Sequence, residues 1–141
     1  MEAYVAILAK ITYLVALLFL VIGLCTPIVV EAKHVSIKNR LGSGKNMTLH
    51  CKSKDTDLGE HSIAYGDEFG WDFHDDVVGT TLFYCDLEWE RVQEYHFDAY
   101  DFHRDFVRCG SDGCSWLISA EGMYGSNSQT GIWEFMYYWP N

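Results

Sequence analysis

The sequence predicts an all-β fold: a small antiparallel β-sandwich, stapled by two disulfides, behind a cleaved signal peptide. Three observations predict it. The N-terminus carries a long apolar run behind a single lysine, Lys10. Four cysteines, Cys51, Cys85, Cys109 and Cys114, lie beyond that run. From residue 33 onward apolar residues recur at every second position, the period of a strand with one buried face.

The leader comes first. Residues 11–24 (ITYLVALLFLVIGL) are almost wholly apolar, and Val30-Glu31-Ala32 offers a small residue at the exit. Basic flank, apolar stretch and small-residue exit are the marks of a secretory signal peptide, so residues 1–32 are read as signal and cleavage is placed after Ala32. The uncharged run 11–30 is long enough to span a bilayer. No basic cluster follows it and a patterned domain begins at once, which favours removal over anchoring and leaves the mature chain without a stable membrane anchor.

What remains, residues 33–141, is one domain with a modest core, the size class that benefits from staples. Loss of the leader takes Cys25 with it and leaves four cysteines, an even number in an extracellular context, hence two disulfides. A four-cysteine zinc site needs two close pairs, and only Cys109 and Cys114 are close, so no metal is expected. Four cysteines allow three connectivities. Cys51 and Cys85 share faces with inward apolar residues and Cys114 shares one with Trp116. That placement predicts bridges across the sandwich, Cys51 and Cys85 each joined to one of Cys109 and Cys114.

The strands follow in order. Val35 and Ile37 define the first, and Met47, Leu49 and Cys51 the second. The glycine-rich segment 40–46 between them reads as a hairpin turn. Residues 52–59 read as the polar turn leaving the second strand. Phe69, Trp71 and Phe73 mark the third; Phe83, Cys85, Leu87 and Trp89 the fourth; Tyr95, Phe97 and Ala99 the fifth. Cys114, Trp116 and Ile118 mark the sixth. The last run, 131–141, is densely aromatic (Ile132, Trp133, Phe135, Tyr137, Trp139) and belongs in a sheet, at its edge or centre. No segment after Ala32 shows a helical repeat.

Charge and side-chain chemistry narrow the function. The formal net charge is −10, of which Glu2, Lys10 and Glu31 take −1 away with the leader. Such a surface disfavours nucleic acid and anionic lipid and suits a soluble monomer. The six histidines, His34, His50, His61, His74, His96 and His103, show no metal-ligand spacing. A secreted hydrolase or nuclease would need two of them, or two acids near Trp71, brought together. The acids Asp67, Glu68, Asp72, Asp75 and Asp76 match no calcium loop and read as a solvated rim. Tyr84, Tyr100 and Tyr138 fall on outward faces, the one feature favouring a carbohydrate-binding module. Asn46-Met47-Thr48 is a glycosylation sequon at a turn. The segment 101–112 carries both charge signs between two strands. Loops on a rigid sheet are where recognition concentrates, so Asp101, His103, Arg104, Asp105, Arg108 and Asp112 are the candidate partner-binding residues.

The blocks His50-Cys51-Lys52-Ser53-Lys54-Asp55-Thr56-Asp57-Leu58-Gly59, Thr80-Thr81-Leu82-Phe83-Tyr84-Cys85-Asp86-Leu87-Glu88-Trp89, Arg104-Asp105 with Cys109 and Cys114-Ser115-Trp116, and Glu121-Gly122-Met123-Tyr124 stand in an order that resembles the plant self-incompatibility S-protein homologues. Thr56 departs from the usual acid at that turn. The resemblance spans essentially all of the mature chain. It implies a secreted disulfide-bonded β-sandwich without catalytic residues or cofactor. By analogy with the family's determinant in the poppy stigma, it implies a ligand for a cell-surface membrane protein or receptor. That analogy places recognition on the 101–112 segment.

Overall fold

A computed structural model describes residues 1–24, 31–111 and 113–140. The chain divides into two compact units, Met1–Val30 and Glu31–Asn141. In the first, the helix α1 (Glu2–Leu24) has no buried residue and is long and apolar enough to cross a membrane. Cys25 lies outside the described residues.

The second unit is two stacked sheets. Its strands are β1 (Lys33–Arg40), β2 (Met47–Lys52), β3 (Asp57–Ile63), β4 (Glu68–Phe73), β5 (Leu82–Trp89), β6 (Val92–Asp101), β7 (Cys114–Ser119), β8 (Gly122–Asn127) and β9 (Ile132–Tyr138). One sheet has five strands in the order β4-β1-β7-β8-β9, the other four in the order β3-β2-β5-β6. Pairing is antiparallel except between β1 and β7, which run parallel. The alternating apolar positions all turn inward: Val35, Ile37, Leu49, Leu87, Trp116 and Ile118 are completely buried. The closing aromatic run takes an edge position, as β9.

Three local expectations change. Segment 40–46 is not a hairpin turn, because β1 and β2 belong to different sheets. It is a corner between layers, organised by Asn39, whose fully buried amide donates to the carbonyls of Lys45 and Ile63, both at 2.8 Å, while its oxygen accepts from the Leu41 amide. The 52–59 turn is shorter than expected: Ser53 N donates to the Thr56 carbonyl at 2.8 Å, and β3 starts at Asp57. A helix, α2 (Phe102–Cys109), occupies most of the segment expected to be a loop.

The disulfides also differ from expectation. Cys51 is joined to Cys85, and Cys109 to Cys114. Facing inward told which layer of the core each cysteine enters but not which sheet it comes from. Cys51 and Cys85 are register partners on adjacent strands of one sheet, with Cα atoms 4.0 Å apart. Cys109 and Cys114 tie the end of α2 to the start of β7, Cα atoms 5.0 Å apart. Neither bridge links the two sheets, which are held together by apolar packing and by buried hydrogen bonds such as that from Trp116 Nε1 to the Ala99 carbonyl, 2.8 Å.

Candidate functional site

Among the described residues of the second unit, the helix α2 is set against the sandwich rather than within a sheet, and its sequence explains its position. Asp101 is the N-cap: its carboxylate accepts from Arg104 N at 3.0 Å, satisfying a donor that the first turn leaves free. Asp105 answers with Oδ2 accepting from the Asp101 amide at 2.9 Å. At the other end, the Arg108 carbonyl accepts from Ser128 N at 2.8 Å, and Lys33 Nζ donates to the Gly110 carbonyl at 2.8 Å. A cation at a helix C-terminus interacts favourably with the helix dipole.

The inner side of α2 is charged. Asp105 is fully buried and takes a hydrogen bond from Arg104 Nε (2.8 Å), one from Arg104 Nη2 (2.6 Å) and one from Arg108 Nε (2.8 Å). The arginines reach onward: Arg104 to the Tyr137 hydroxyl and the Asp98 carbonyl, Arg108 to the Ser126 carbonyl, each at 2.7 Å. Both guanidiniums lie over the Trp116 ring, 5.4 and 5.1 Å from its centroid, and Tyr137 stacks on the same ring. A Cβ on Gly125 would sit 2.5 Å from Arg108 Nη1, so the glycine makes room for the arginine. Buried charge survives only when paired and hydrogen-bonded; the Asp105 carboxylate is both, while Arg108 Nη2 is buried without a hydrogen-bond partner among the described residues.

Of the predicted contact residues, then, Asp105 and Arg108 are interior and Asp101 and Arg104 serve the helix frame. His103 alone of the described set is exposed, and Asp112 lies outside the described residues. The outer side of α2 is completed by Phe106 and Val107. Beside it runs the segment 74–81. The Phe102 amide donates to the Thr81 carbonyl, and Gly79 lies so close to the Phe102 ring that a Cβ would approach to 2.6 Å. Phe102 in turn packs on Phe106, ring centroids 4.9 Å apart. Val77 and Val78 are exposed on that segment. Phe106, Val107, Val77 and Val78 carried no signal in the sequence reading, because exposed apolar residues are invisible to a search for charge.

The other candidate chemistry is dispersed. His34, His50 and His96 each meet an aspartate, Asp72, Asp57 and Asp86, at 2.6–2.7 Å across neighbouring strands. His61 bonds the Leu58 carbonyl and stacks on Phe69. The acidic rim is likewise divided. Asp75 accepts from the Tyr100 hydroxyl, while Asp76 accepts from Thr80 N and Thr80 Oγ1. The Thr80 hydroxyl, then its amide, holds the Asp76 carboxyl below the usual range. Near that turn lies a cleft of about 680 Å³ whose walls include Lys54, Trp71, His74, Asp76, Thr80 and Tyr84. His74 is the single histidine in its lining. Tyr100, expected outward, is buried, since a register shift between Phe83 and Tyr84 re-aims this part of β6. Burial, then the Asp75 bond, raises its phenol above the ordinary value. Asp105, Cys109 and Cys114 cluster within 4.8 Å, but both sulfurs are spent in the disulfide.

An N-terminal apolar helix, two disulfides and a β-sandwich with one short helix among its described residues define the class of a small extracellular domain. Residues 34–139 match the family model described as plant self-incompatibility protein S1. Self-incompatibility protein S1 of Papaver rhoeas is 39% identical over 101 residues, 71% of this chain and 72% of that one. S-protein homolog 3 of Arabidopsis thaliana is 40% identical over 110 residues, 77% and 73% of the two chains. This chain belongs to the plant self-incompatibility protein S1 family. A solved self-incompatibility protein homologue, described as one of a widespread family of small, highly stable, secreted plant proteins, has the same fold. It superposes with a TM-score of 0.58 at 19% identity, over 81% of this chain and 99% of that one. Leader, disulfides and family together place the protein outside the cell.

Proposed function

We propose that the mature domain is a non-enzymatic extracellular ligand that engages a cell-surface protein through the outer side of α2 and the adjoining segment 74–81. The observation that carries this reading is the combination of a helix anchored by a buried ionic network with an exposed apolar surface. That surface, Val77, Val78, Phe106 and Val107, ranges from 49% exposed at Phe106 to full exposure at Val77. Apolar residues grouped in solvent on a polar, acidic domain mark an interaction site rather than a packing need. The name of the poppy relative supports a signalling role by likeness.

The test is binding of the labelled, secreted protein to plant cell membranes. Saturable binding should fall at least tenfold when Val77, Val78, Phe106 and Val107 are replaced by serine, with the melting temperature nearly unchanged. Binding that survives those substitutions places the contact elsewhere.

A further inference from the structure

The cleft beside Asp76, about 680 Å³, takes its walls from both sheets: Trp71 and Phe73 on β4, Leu58 on β3, Phe83 and Tyr84 on β5. It therefore opens between the layers, and its volume falls within the roughly 300–1,000 Å³ of small-ligand sites. Its floor is aromatic and fixed. Phe73 packs on Phe83 and Tyr100, ring centroids 4.8 and 4.7 Å apart, and Trp71 packs on Phe83 at 5.5 Å. Phe73 and Tyr84 are half-buried, so each leaves apolar ring surface uncovered. Trp71 is only 8% exposed, and its buried indole N–H meets no acceptor among the described residues. Such orphaned donors are rare in folded proteins, and each calls for an explanation. The rim is polar and equally fixed. Ser53 N bonds the Thr56 carbonyl at 2.8 Å, and Asp76 N bonds Thr81 Oγ1 at 2.8 Å. Lys54, Asp55, Thr56 and His74 line the cleft, are exposed, and spend no side-chain hydrogen bond within the described residues.

We infer that this cleft binds an uncharged sugar unit of an extracellular oligosaccharide. A sugar ring has a C–H face that lies flat on an aromatic ring and hydroxyls that both donate and accept. The cleft answers each part. Phe73 and Tyr84 supply ring surface, Asp55 accepts, Lys54 donates, and Thr56 does either. A sugar oxygen is also the acceptor that the Trp71 N–H lacks. A purely apolar ligand would leave that N–H and the rim unpaired, and an ammonium or guanidinium ligand carries no acceptor to offer. Charge removes the acidic sugars. The chain's net charge is −10, and Asp55, Asp72 and Asp76 stand in the lining against one lysine, a field that repels a uronate.

The site shares segment 74–81 with the receptor surface but uses none of Val77, Val78, Phe106 and Val107, so it stands or falls apart from that reading. The experiment is calorimetric titration of the secreted, disulfide-bonded protein with neutral hexasaccharides (cellohexaose, xylohexaose and mannohexaose) and with hexagalacturonate as the anionic counterpart. At least one neutral sugar should saturate the protein below about 10 mM, a range that captures weak affinities. Hexagalacturonate should bind more weakly than that sugar. Replacing Asp55, Thr56 and His74 together by alanine should weaken binding by about tenfold with the fold intact, since exposed side chains without partners contribute little to stability. Trp71→Phe keeps a ring, removes the N–H and should weaken binding severalfold. Val77→Ser with Val107→Ser should bind the sugar like the wild type. Absence of saturable binding by every neutral sugar overturns the inference, as does tighter binding of hexagalacturonate or binding indifferent to the cleft substitutions. Should Trp71→Phe not fold, the triple variant decides.

Discussion

Replacing Asp105 by asparagine is the most informative single perturbation of this fold. The substitution keeps the shape of the side chain and removes its charge. Four hydrogen bonds converge on that carboxylate, from the Asp101 amide, from two nitrogens of Arg104 and from Arg108 Nε. Without it, two guanidiniums over Trp116 lose their counter-ion, and one of them, Arg108, is only 8% exposed. Breaking a buried pair by removing one partner costs about 3–5 kcal/mol. Near 4 kcal/mol, with a guanidinium m-value of about 3 kcal/mol/M, the unfolding midpoint should fall by about 1.3 M. Tryptophan fluorescence through a guanidinium titration measures this shift of the midpoint. A fall of less than about 0.3 M, equivalent to about 1 kcal/mol at the same m-value, would refute the account of α2 as a helix held by its buried charge.

Other outcomes follow from the same geometry. Non-reducing peptide mapping should recover Cys51 with Cys85 and Cys109 with Cys114. In the chain-entropy model, removing the first pair should cost about 4 kcal/mol and the second about 2, because it closes a much shorter loop. On acidification, the stabilisation that Asp76 contributes should be lost only at the acid end. Its folded-state value is depressed, so the stabilisation is complete above the unfolded value of 3.8 and disappears as pH falls through the lower folded value. Melting temperatures between pH 5 and 2.5 should show a shallower acid limb in Thr80→Ala. Asn46 is exposed ahead of β2. The protein recovered from a plant secretory host should lose mass on glycosidase treatment, and Asn46→Gln should abolish that shift without altering the melt.

The sandwich was legible because its core strands bury one face each: Val35 and Ile37, Met47 to Cys51, Phe83 to Trp89 and Cys114 to Ile118 announce themselves by alternation. The elements that escaped lack that contrast. β3 reads Asp57 to Ile63 with a single buried residue at its end, as an edge strand does, and β8 (Gly122–Asn127) carries two glycines. The corner at 40–46 was indistinguishable from a hairpin because both flanking strands keep the same phase, and only the buried Asn39 side chain reveals the change of sheet. The helix was hidden by its chemistry. Its buried positions are Asp105, Arg108 and Cys109, so a search for an apolar stripe passes over it. The same chemistry drew attention to the segment for the wrong reason, since charged residues between strands suggest a surface. Sequence order located the region around the candidate site, but two of the residues it assigned to recognition, Asp105 and Arg108, belong to the interior.

Within the eight residues of α2, Asp105, Arg108 and Cys109 answer to the interior, while His103, Phe106 and Val107 are exposed. Substitutions at the second group leave the buried ion network, the disulfide and Trp116 untouched. The outward side of α2 can therefore change in sequence while the frame beneath it is kept.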